Sequence, residues 1–331
     1  MVYNIAMSKK VLIICLVGVL LVSIFAACSS EANETKTMLD DMANWMSYIS
    51  DDAYITKMAI PGSHDAISYG TTIVSAKTQG GDLTAQLKSG CRYFDLRFAT
   101  NKSDNNELYG VHAVVMTNVK AMDALTQCKD FIVSHPSEFL ILDLSQFRSK
   151  DTNCIEKIKV MVKELFVDTS LAVLKNGENI DEYVSSLKLK DVRGKVIITF
   201  GETADENYLF RRNNDAASVS ETCALRSDYI GEKHSQGGEV LANETMPYYL
   251  DNLSSDYKGF FVLQSQLTNG ALDSIENKEN AADEYIKARV SSFKENESYL
   301  SKVNIVMRDY ISDVSKDINI VELNISKGIV K

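Results

Sequence analysis

The sequence predicts an α/β fold, most simply a single barrel of parallel strands covered by helices. Short apolar runs rich in β-branched and aromatic residues alternate with segments of helical periodicity. A length of 331 residues without an internal repeat or a Pro/Gly-rich linker suits one large domain. No GxGxxG or P-loop motif follows the early strands, which removes the main support for a nucleotide-binding sheet. Strands that are buried on both faces and separated by helices therefore favour a barrel over an open doubly wound sheet.

The elements follow one another in a consistent order. Strands are predicted at Tyr54–Ile60, Arg92–Phe98, Phe139–Leu144, Lys195–Phe200, Gly259–Gln264 and Val303–Met307. Helical periodicity predicts helices at Asn118–Ser134, Asn153–Phe166, Ala281–Phe293 and Ser315–Leu323.

The composition is that of a folded protein with an acidic surface. The chain is 45% hydrophobic and 24% charged, with a net charge of −10, which argues against disorder and against a multi-span membrane protein. An acidic protein without a Lys/Arg tract repels a phosphate backbone, so we expect no nucleic-acid partner. We expect a monomer.

The N-terminus has the features of an export signal. Lys9 and Lys10 precede an almost unbroken apolar run at 11–25, which is too short for a comfortable membrane span, and Ala26-Ala27-Cys28 follows. This end resembles a bacterial lipobox, so residues 1–27 are predicted to be a lipoprotein signal peptide, Cys28 the lipidated residue and residues 28–43 a tether. The barrel would then span 44–331 on an exported protein anchored in the cell envelope or at the cell surface. The alternative is plain secretion with Cys28 incidental.

The remaining cysteines in the predicted mature chain are widely spaced. Cys91, Cys128, Cys154 and Cys223 include no CxxC pair, which disfavours structural zinc. Their spacing allows one or two disulfides, but each lies beside apolar residues, and we expect buried thiols.

Ionisable residues stand where several predicted strands end. His64-Asp65 follows the first strand and its Pro-Gly-Ser turn, Arg97 ends the second, His112 follows a run at 107–111, and Asp309 follows the last. The carboxyl ends of parallel barrel strands meet at one mouth, so these side chains are expected to converge there. Two histidines can divide general-base and general-acid work, an arginine suits phosphate oxygens, and a carboxylate can orient a histidine. Together they indicate phosphodiester chemistry.

Several motifs of the sequence, taken in order, resemble those of a known family. It comprises Ile60-Pro61-Gly62-Ser63-His64-Asp65, Gly90-Cys91-Arg92-Tyr93-Phe94-Asp95-Leu96-Arg97, His112, Pro136-Ser137-Glu138-Phe139-Leu140-Ile141-Leu142 and Arg308-Asp309-Tyr310-Ile311. In that order they are similar to bacterial phosphatidylinositol-specific phospholipase C, X-domain type. The resemblance implies a distorted (β/α)8 TIM barrel that is incompletely closed.

The resemblance also implies roles for the site residues. His64 would be the general base for the inositol 2-hydroxyl, oriented by Asp309, and His112 would protonate the departing diacylglycerol oxygen with help from Asp65. Arg97 would hold a phosphate oxygen in the place where eukaryotic relatives hold calcium, so neither a metal nor another cofactor is expected.

The implied substrate is phosphatidylinositol, or a glycosylated form of it, in a membrane. The implied products are diacylglycerol and a cyclic inositol phosphate, a phosphatidylinositol diacylglycerol-lyase reaction. Arg193 and Asp228 would contact inositol hydroxyls. The chain carries Asp143 where bacterial relatives often have a lysine nearby, and the region 203–247 aligns poorly. Two alternatives remain open: a metal-dependent glycerophosphodiester phosphodiesterase, and a non-catalytic barrel that binds inositol or glycans.

Overall fold

The computed structural model describes residues 37–147, 152–176, 180–202, 205–213, 223–268 and 273–331. The predicted signal peptide, Cys28 and most of the predicted tether lie outside these residues. The chain divides into two units, Met1–Asp41 and Met42–Lys331, and the second contains the barrel. Within the described ranges, no helix combines the length and the apolar character needed to cross a bilayer.

In the described residues, ten strands form one sheet, and eight of them close into a parallel barrel. They are β1 (Ile60–Ser63), β2 (Tyr93–Asn101), β3 (Glu107–His112), β4 (Val115–Lys120), β5 (Phe139–Phe147), β6 (Lys195–Phe200), β7 (Leu209–Asn213), β8 (Leu225–Arg226), β9 (Phe260–Gln264) and β10 (Ile305–Arg308). The ring runs β1, β2, β5, β6, β7, β8, β9, β10 and back to β1. Hydrogen-bonded pairs join every neighbour, so the expected barrel is present and its ring is closed rather than incomplete.

Helices cover the barrel between the strands. They are α1 (Leu83–Ser89), α2 (Ala121–Ser134), α3 (Thr152–Val162), α4 (Ile180–Ser186), α5 (Leu189–Val192), α6 (Gly231–His234), α7 (Gly238–Val240), α8 (Met246–Asn252), α9 (Ile275–Ser292), α10 (Glu297–Lys302), α11 (Val314–Val321) and α12 (Leu323–Ser326). Only residues 201–208 separate β6 from β7, which is too few for a crossover helix, and β8 pairs through two residues on each side. The barrel is therefore distorted on this side.

The first strand lies later than the sequence predicted. Residues 55–57 form a 3₁₀ turn and β1 begins at Ile60, so the prediction of a strand at 54–60 followed by a Pro-Gly-Ser turn is wrong. Pro61 has no N–H to donate within the strand, but its carbonyl accepts from the Arg92 backbone N–H at 3.0 Å. Gly62 is required by close packing, since a Cβ there would lie 2.9 Å from the Tyr93 side chain.

His112 reaches the barrel mouth by a different route from the one predicted. Its strand β3 pairs antiparallel with β2 and lies outside the ring, in a meander with β4. The long strand β2 projects beyond the barrel and offers a free edge on which β3 runs back toward the mouth. The helix predicted to start at Asn118 begins at Ala121, because residues 118–120 belong to β4.

The four cysteines fit the expectation of buried thiols. Cys91, Cys128, Cys154 and Cys223 are all buried, and no disulfide is formed in the described part of the chain. Burial raises the pKa of Cys128 to about 12, which keeps its thiol protonated.

A buried ion pair closes the amino-terminal end of the barrel. The Arg92 and Glu138 side chains are fully buried, and Arg92 Nε donates to Glu138 Oε2 at 2.9 Å. Arg92 also donates to the backbone carbonyls of Leu87 and Ala43. Trp45 packs in the same region, where its indole donates to Gly90 O at 2.9 Å.

Removing the carboxylate of this pair should destabilise the fold. We expect Glu138→Ala to lower the free energy of unfolding by about 3–5 kcal/mol, because the guanidinium stays buried without its counter-ion. Urea titration followed by the fluorescence of Trp45, the single tryptophan of the chain, measures this change. Glu295→Ala, at an exposed position, is the control, and equal midpoints for the two variants would contradict the assignment.

Candidate active site

A cavity of about 440 Å³ opens among the carboxyl ends of the barrel strands. The titratable residues in its wall are His64, Tyr93, Asp95, Arg97, His112, Arg212, Tyr229 and Asp309. The structure thus brings together His64, Arg97, His112 and Asp309, as the strand-end pattern predicted.

Strand pairing places His64 beside Asp309. The register of β1 on β10 sets Ser63 opposite Arg308, so the next residue of each strand emerges at the same level. His64 Nδ1 lies 2.7 Å from Asp309 Oδ1. Gln79 holds the two strand ends together, since its Nε2 donates to His64 O at 2.9 Å and to Arg308 O at 3.1 Å.

Burial controls the protonation of this pair. The His64 side chain is 14% exposed, and burial lowers the pKa of His64 to about 4. Burial also raises the pKa of Asp309. In the tautomer whose Nδ1–H donates to Asp309, the Nε2 atom of His64 is unprotonated. That is the form a general base requires.

Asp65 lies between the two histidines. Its Oδ2 is 3.4 Å from His64 Nε2 and 3.5 Å from His112 Nε2, and its side chain is 1% exposed. The backbone of Asp65 has a φ of +43°, which non-glycine residues seldom adopt. This conformation lets the residue that follows His64 turn its carboxylate back beneath both imidazoles.

A backbone carbonyl orients His112. Its Nδ1 lies 2.8 Å from Ala76 O, and a carbonyl can only accept, so Nδ1 carries the proton of this bond. Nε2 consequently points toward Asp65. The ring centroids of His64 and His112 are 6.4 Å apart, with planes inclined at 73°. The two imidazoles therefore face each other across a short gap.

Arg97 supplies a permanent positive charge beside the histidines. Its Nε is 2.7 Å from Asp65 Oδ1, and its Nη2 is 2.7 Å from Asp95 Oδ2. Ser145 donates to the second oxygen of Asp95 and fixes that carboxylate in turn. The two carboxylates raise the pKa of Arg97 further above its already high value despite its burial. The guanidinium is therefore charged and held by two anions.

This donor set does not suit a divalent cation. One atom from each of His64, Asp65 and Asp95 lies within 4.8 Å of the others, a spacing that metal ligands share. The Arg97 guanidinium, however, already bridges the two carboxylates at 2.7 Å. A divalent ion there would lie against a fixed positive charge, and the carboxylates would have to give up their present partner.

Sequence reasoning missed a second arginine in the cavity wall. Arg212, at the end of β7, lies with its Nε 3.0 Å from Asp143 Oδ1. Asp143 also accepts from Tyr93 at 2.6 Å and from Thr199 at 2.7 Å. Strand β7 thus places a guanidinium in the cavity wall, paired with Asp143. The only sequence signal for Arg212 was the pair Arg211-Arg212 after an apolar residue, in a region without clear motif similarity.

Two predicted substrate contacts lie elsewhere. Arg193 precedes β6, at the amino-terminal end of the barrel, where its Nε donates to Asp51 at 2.8 Å and its Nη1 donates to Met46 O at 3.0 Å. The prediction that it contacts inositol is wrong, because the mouth is at the other end of that strand. Asp228 is buried and held by Arg226 at 2.8 Å. Its neighbours Ser227 and Tyr229 line the cavity, but Asp228 itself does not.

The other two histidines lie apart from the His64–His112 cluster. His135 ends helix α2 and stacks on Phe131 with centroids 4.0 Å apart. His234, which received no prediction, is fully buried, with Nδ1 2.6 Å from Gln266 O and Nε2 2.9 Å from the Tyr249 hydroxyl. It supports the wall that carries Gln266.

Comparison with known proteins gives a consistent result. Residues 54–200 match the family described as "Phosphatidylinositol-specific phospholipase C, X domain". The chain is 25% identical over 173 residues to 1-phosphatidylinositol phosphodiesterase of Staphylococcus aureus, which covers 50% of this chain and 53% of that protein. It is 31% identical over 158 residues to PI-PLC X domain-containing protein 3 of Danio rerio, which covers 38% of this chain and 48% of that protein. The chain thus matches about half the length of these curated relatives.

Solved structures share the fold over a longer stretch. The phosphatidylinositol-specific phospholipase C from Listeria monocytogenes superposes with a TM-score of 0.66 at 18% identity, over 86% of this chain and 99% of that one. The Staphylococcus aureus enzyme gives a TM-score of 0.65 at 19% identity, over 85% and 98%. The barrel is therefore of the type these proteins share, and residues 54–200 are similar to the X domain of phosphatidylinositol-specific phospholipase C.

Proposed function

We propose that this protein cleaves phosphatidylinositol, or a closely related inositol phospholipid, into diacylglycerol and inositol 1,2-cyclic phosphate. The observation that carries the proposal is the pair of imidazoles with centroids 6.4 Å apart, both within 3.5 Å of Asp65, with the Arg97 guanidinium on the same carboxylate. Such an arrangement provides a base, an acid and a fixed cation around one point, which in-line phosphoryl transfer requires.

The proposed reaction has two proton transfers, one from the substrate hydroxyl to His64 and one from His112 to the leaving oxygen. His64 Nε2 takes the proton of the inositol 2-hydroxyl, and the oxygen forms a bond to phosphorus. The bond from phosphorus to the glycerol oxygen breaks, and His112, acting as an imidazolium with both ring nitrogens protonated, gives its Nε2 proton to that oxygen while its Nδ1–H stays on Ala76 O. Arg97 stabilises the negative charge on the non-bridging oxygens, and Asp309 stabilises the imidazolium that forms on His64.

Two alternatives are less well supported. A metal-dependent glycerophosphodiester phosphodiesterase needs carboxylates that are available to a cation, and both candidates are engaged by Arg97. A non-catalytic binding barrel needs no oriented acid and base, yet each imidazole has its own Nδ1 partner, Asp309 Oδ1 at 2.7 Å and Ala76 O at 2.8 Å. We therefore propose catalysis without a metal.

An apolar rim beside the cavity fits a substrate embedded in a membrane. Ile73, Val74 and Val114 are 48%, 57% and 74% exposed. Ser75 follows the first two and lines the cavity, and Val114 lies two residues after His112. Because the protein is acidic overall, apolar contact rather than attraction to anionic lipid would bring the cavity to the membrane. We also propose that the protein is exported and anchored through Cys28.

The direct test is phosphorus NMR. Vesicles that contain phosphatidylinositol, incubated with the protein and excess EDTA, should give the resonance of a five-membered cyclic phosphodiester. Appearance of a monoester without this intermediate, or activity that EDTA abolishes, would support the metal-dependent hydrolase instead. The absence of any product at high protein concentration would support the binding barrel.

The two catalytic histidines should be separately required. We expect His64→Ala and His112→Ala each to lower kcat by about 10²–10⁴, the usual contribution of a general base or acid. His135→Ala serves as the control, since that ring stacks on Phe131 at a helix end outside the cavity. Turnover of either variant within tenfold of the parent protein, with the fold intact by circular dichroism, would refute the assigned roles.

The apolar rim should matter for vesicles and not for dissolved substrate. Replacing both Ile73 and Val74 with Asp removes the apolar surface that would enter the lipid, and we expect turnover on vesicles to fall about tenfold or more. Turnover of a short-chain phosphatidylinositol below its critical micelle concentration should stay within about twofold. Val133→Asp, 61% exposed in the parent on helix α2, is the matched control. Equal losses on both substrates would mean that the rim acts within the cavity rather than at a membrane.

A further inference from the structure

A cluster of buried charges lies between the last barrel strand and two helices. Arg308 Nη2 is 2.7 Å from Glu279 Oε1 and 2.7 Å from Asp283 Oδ1 on helix α9. Lys316 Nζ, on helix α11, is 2.8 Å from the same Glu279 oxygen. The side chains of Arg308 and Glu279 are fully buried, and that of Lys316 is 3% exposed. These charges are therefore almost as shielded from water as the core.

The cluster is bonded directly to a residue of the proposed catalytic pair. Lys316 Nζ donates to the backbone carbonyl of Asp309 at 3.1 Å. Arg308 is the preceding residue, and its own carbonyl accepts from Gln79. The Asp309 backbone is thus tied to helix α11 behind it, while its carboxylate contacts His64 in front of it.

Stability alone gives little reason to bury these charges. Apolar side chains of similar volume often replace a buried ionic cluster with no loss of stability, because the desolvation cost of the ions offsets their attraction. The position of the cluster offers another reason. Glu279 adds a negative charge near Asp309, and Lys316 adds a positive one. Burial and then Glu279 raise the pKa of Asp309, whereas Lys316 and Arg308 act in the opposite direction.

We propose that Glu279 and Lys316 are positioning residues of the His64–Asp309 pair, with Lys316 anchoring the Asp309 backbone and Glu279 balancing its charge. The catalytic consequence of this positioning rests on the proposed function. The proposal adds a second set of residues, outside the cavity and on the helices, that determines how the base is held.

Each substitution removes one charge and leaves the others around the pair unchanged. The direction of its effect on proton binding by the His64–Asp309 pair is therefore defined. On the cavity side the pair faces Asp65, Asp95, Arg97 and His112, and on the helix side it faces Glu279, Asp283, Arg308 and Lys316. Removing the positive Lys316 favours proton uptake by the pair. Removing the negative Glu279 disfavours it. A residue with a purely structural role would not produce shifts of opposite direction.

The test is a histidine titration of the full chain by NMR. The chain contains four histidines, so the resonance of His64 can be assigned from the spectrum of a His64→Gln variant. We expect Lys316→Met to raise the fraction of His64 protonated between pH 4 and 6, and Glu279→Gln to lower it, each shift being on the order of one pH unit. Lys278→Met, whose ammonium pairs with Asp273 at the surface of helix α9, should leave the titration unchanged.

Kinetics provides a second readout. Lys316→Met should lower kcat about tenfold or more with little change in KM, and Lys316→Arg should recover most of that loss because it restores a donor and a charge. Shifts in the same direction for Lys316→Met and Glu279→Gln, or no shift in either, would overturn the proposal. If Lys316→Met fails to fold, the titration of Glu279→Gln decides: a lower protonated fraction of His64 supports the proposal, and an unchanged or higher fraction overturns it.

The titration does not depend on the proposed reaction. Opposite shifts combined with no cyclic product in the phosphorus experiment would refute the proposed activity and leave the positioning network in place. A cyclic product without any shift in the titration would support the proposed activity and refute the positioning network.

Discussion

The site depends on one buried carboxylate, that of Asp65. It lies 2.7 Å from Arg97 Nε and within 3.5 Å of the Nε2 atoms of both His64 and His112. A buried carboxylate is costly unless positive charge compensates it, and Arg97 provides that charge permanently. The same anion thus binds the guanidinium and lies next to both imidazoles. Its left-handed backbone persists only because the surrounding barrel enforces it.

The segment that follows β1 gives this cluster much of its order. Ala76 O orients His112, Thr78 donates to His64 O at 2.9 Å, and Gln79 ties His64 to Arg308. The outer side of the same segment carries the exposed Ile73 and Val74. Residues 73–79 therefore provide both the exposed apolar surface and the backbone carbonyl that orients the proposed acid.

Sequence pattern predicted the barrel and the convergence at its mouth because both follow from local periodicity and one topological rule. The strand at Lys195–Phe200 has the predicted bounds, and His64 and Asp309 directly follow their strands as predicted. Arg97 lines the cavity as expected, but it lies within β2, which continues to Asn101, and not at the end of a strand. The same rule argues against Arg193, which precedes its strand, and only the family resemblance had suggested it. Local sequence pattern did not predict that Arg212 lies in the cavity wall. The short strand β7 lacks a long apolar run, and the partner of Arg212, Asp143, is about seventy residues away.

The limits of the family match show why the complete ring is needed. Residues 54–200 contain His64, Asp65, Arg97 and His112, but not Asp309. Taken alone, this segment would end with β6, leaving edges on β1 and β6 where β10 and β7 now pair. Strand β10 therefore does two things at once: it closes the barrel against β1, and it delivers Asp309 at the level of His64. Because the register of that one strand pair fixes the 2.7 Å contact, the orientation of His64, the proposed base, is a direct consequence of ring closure.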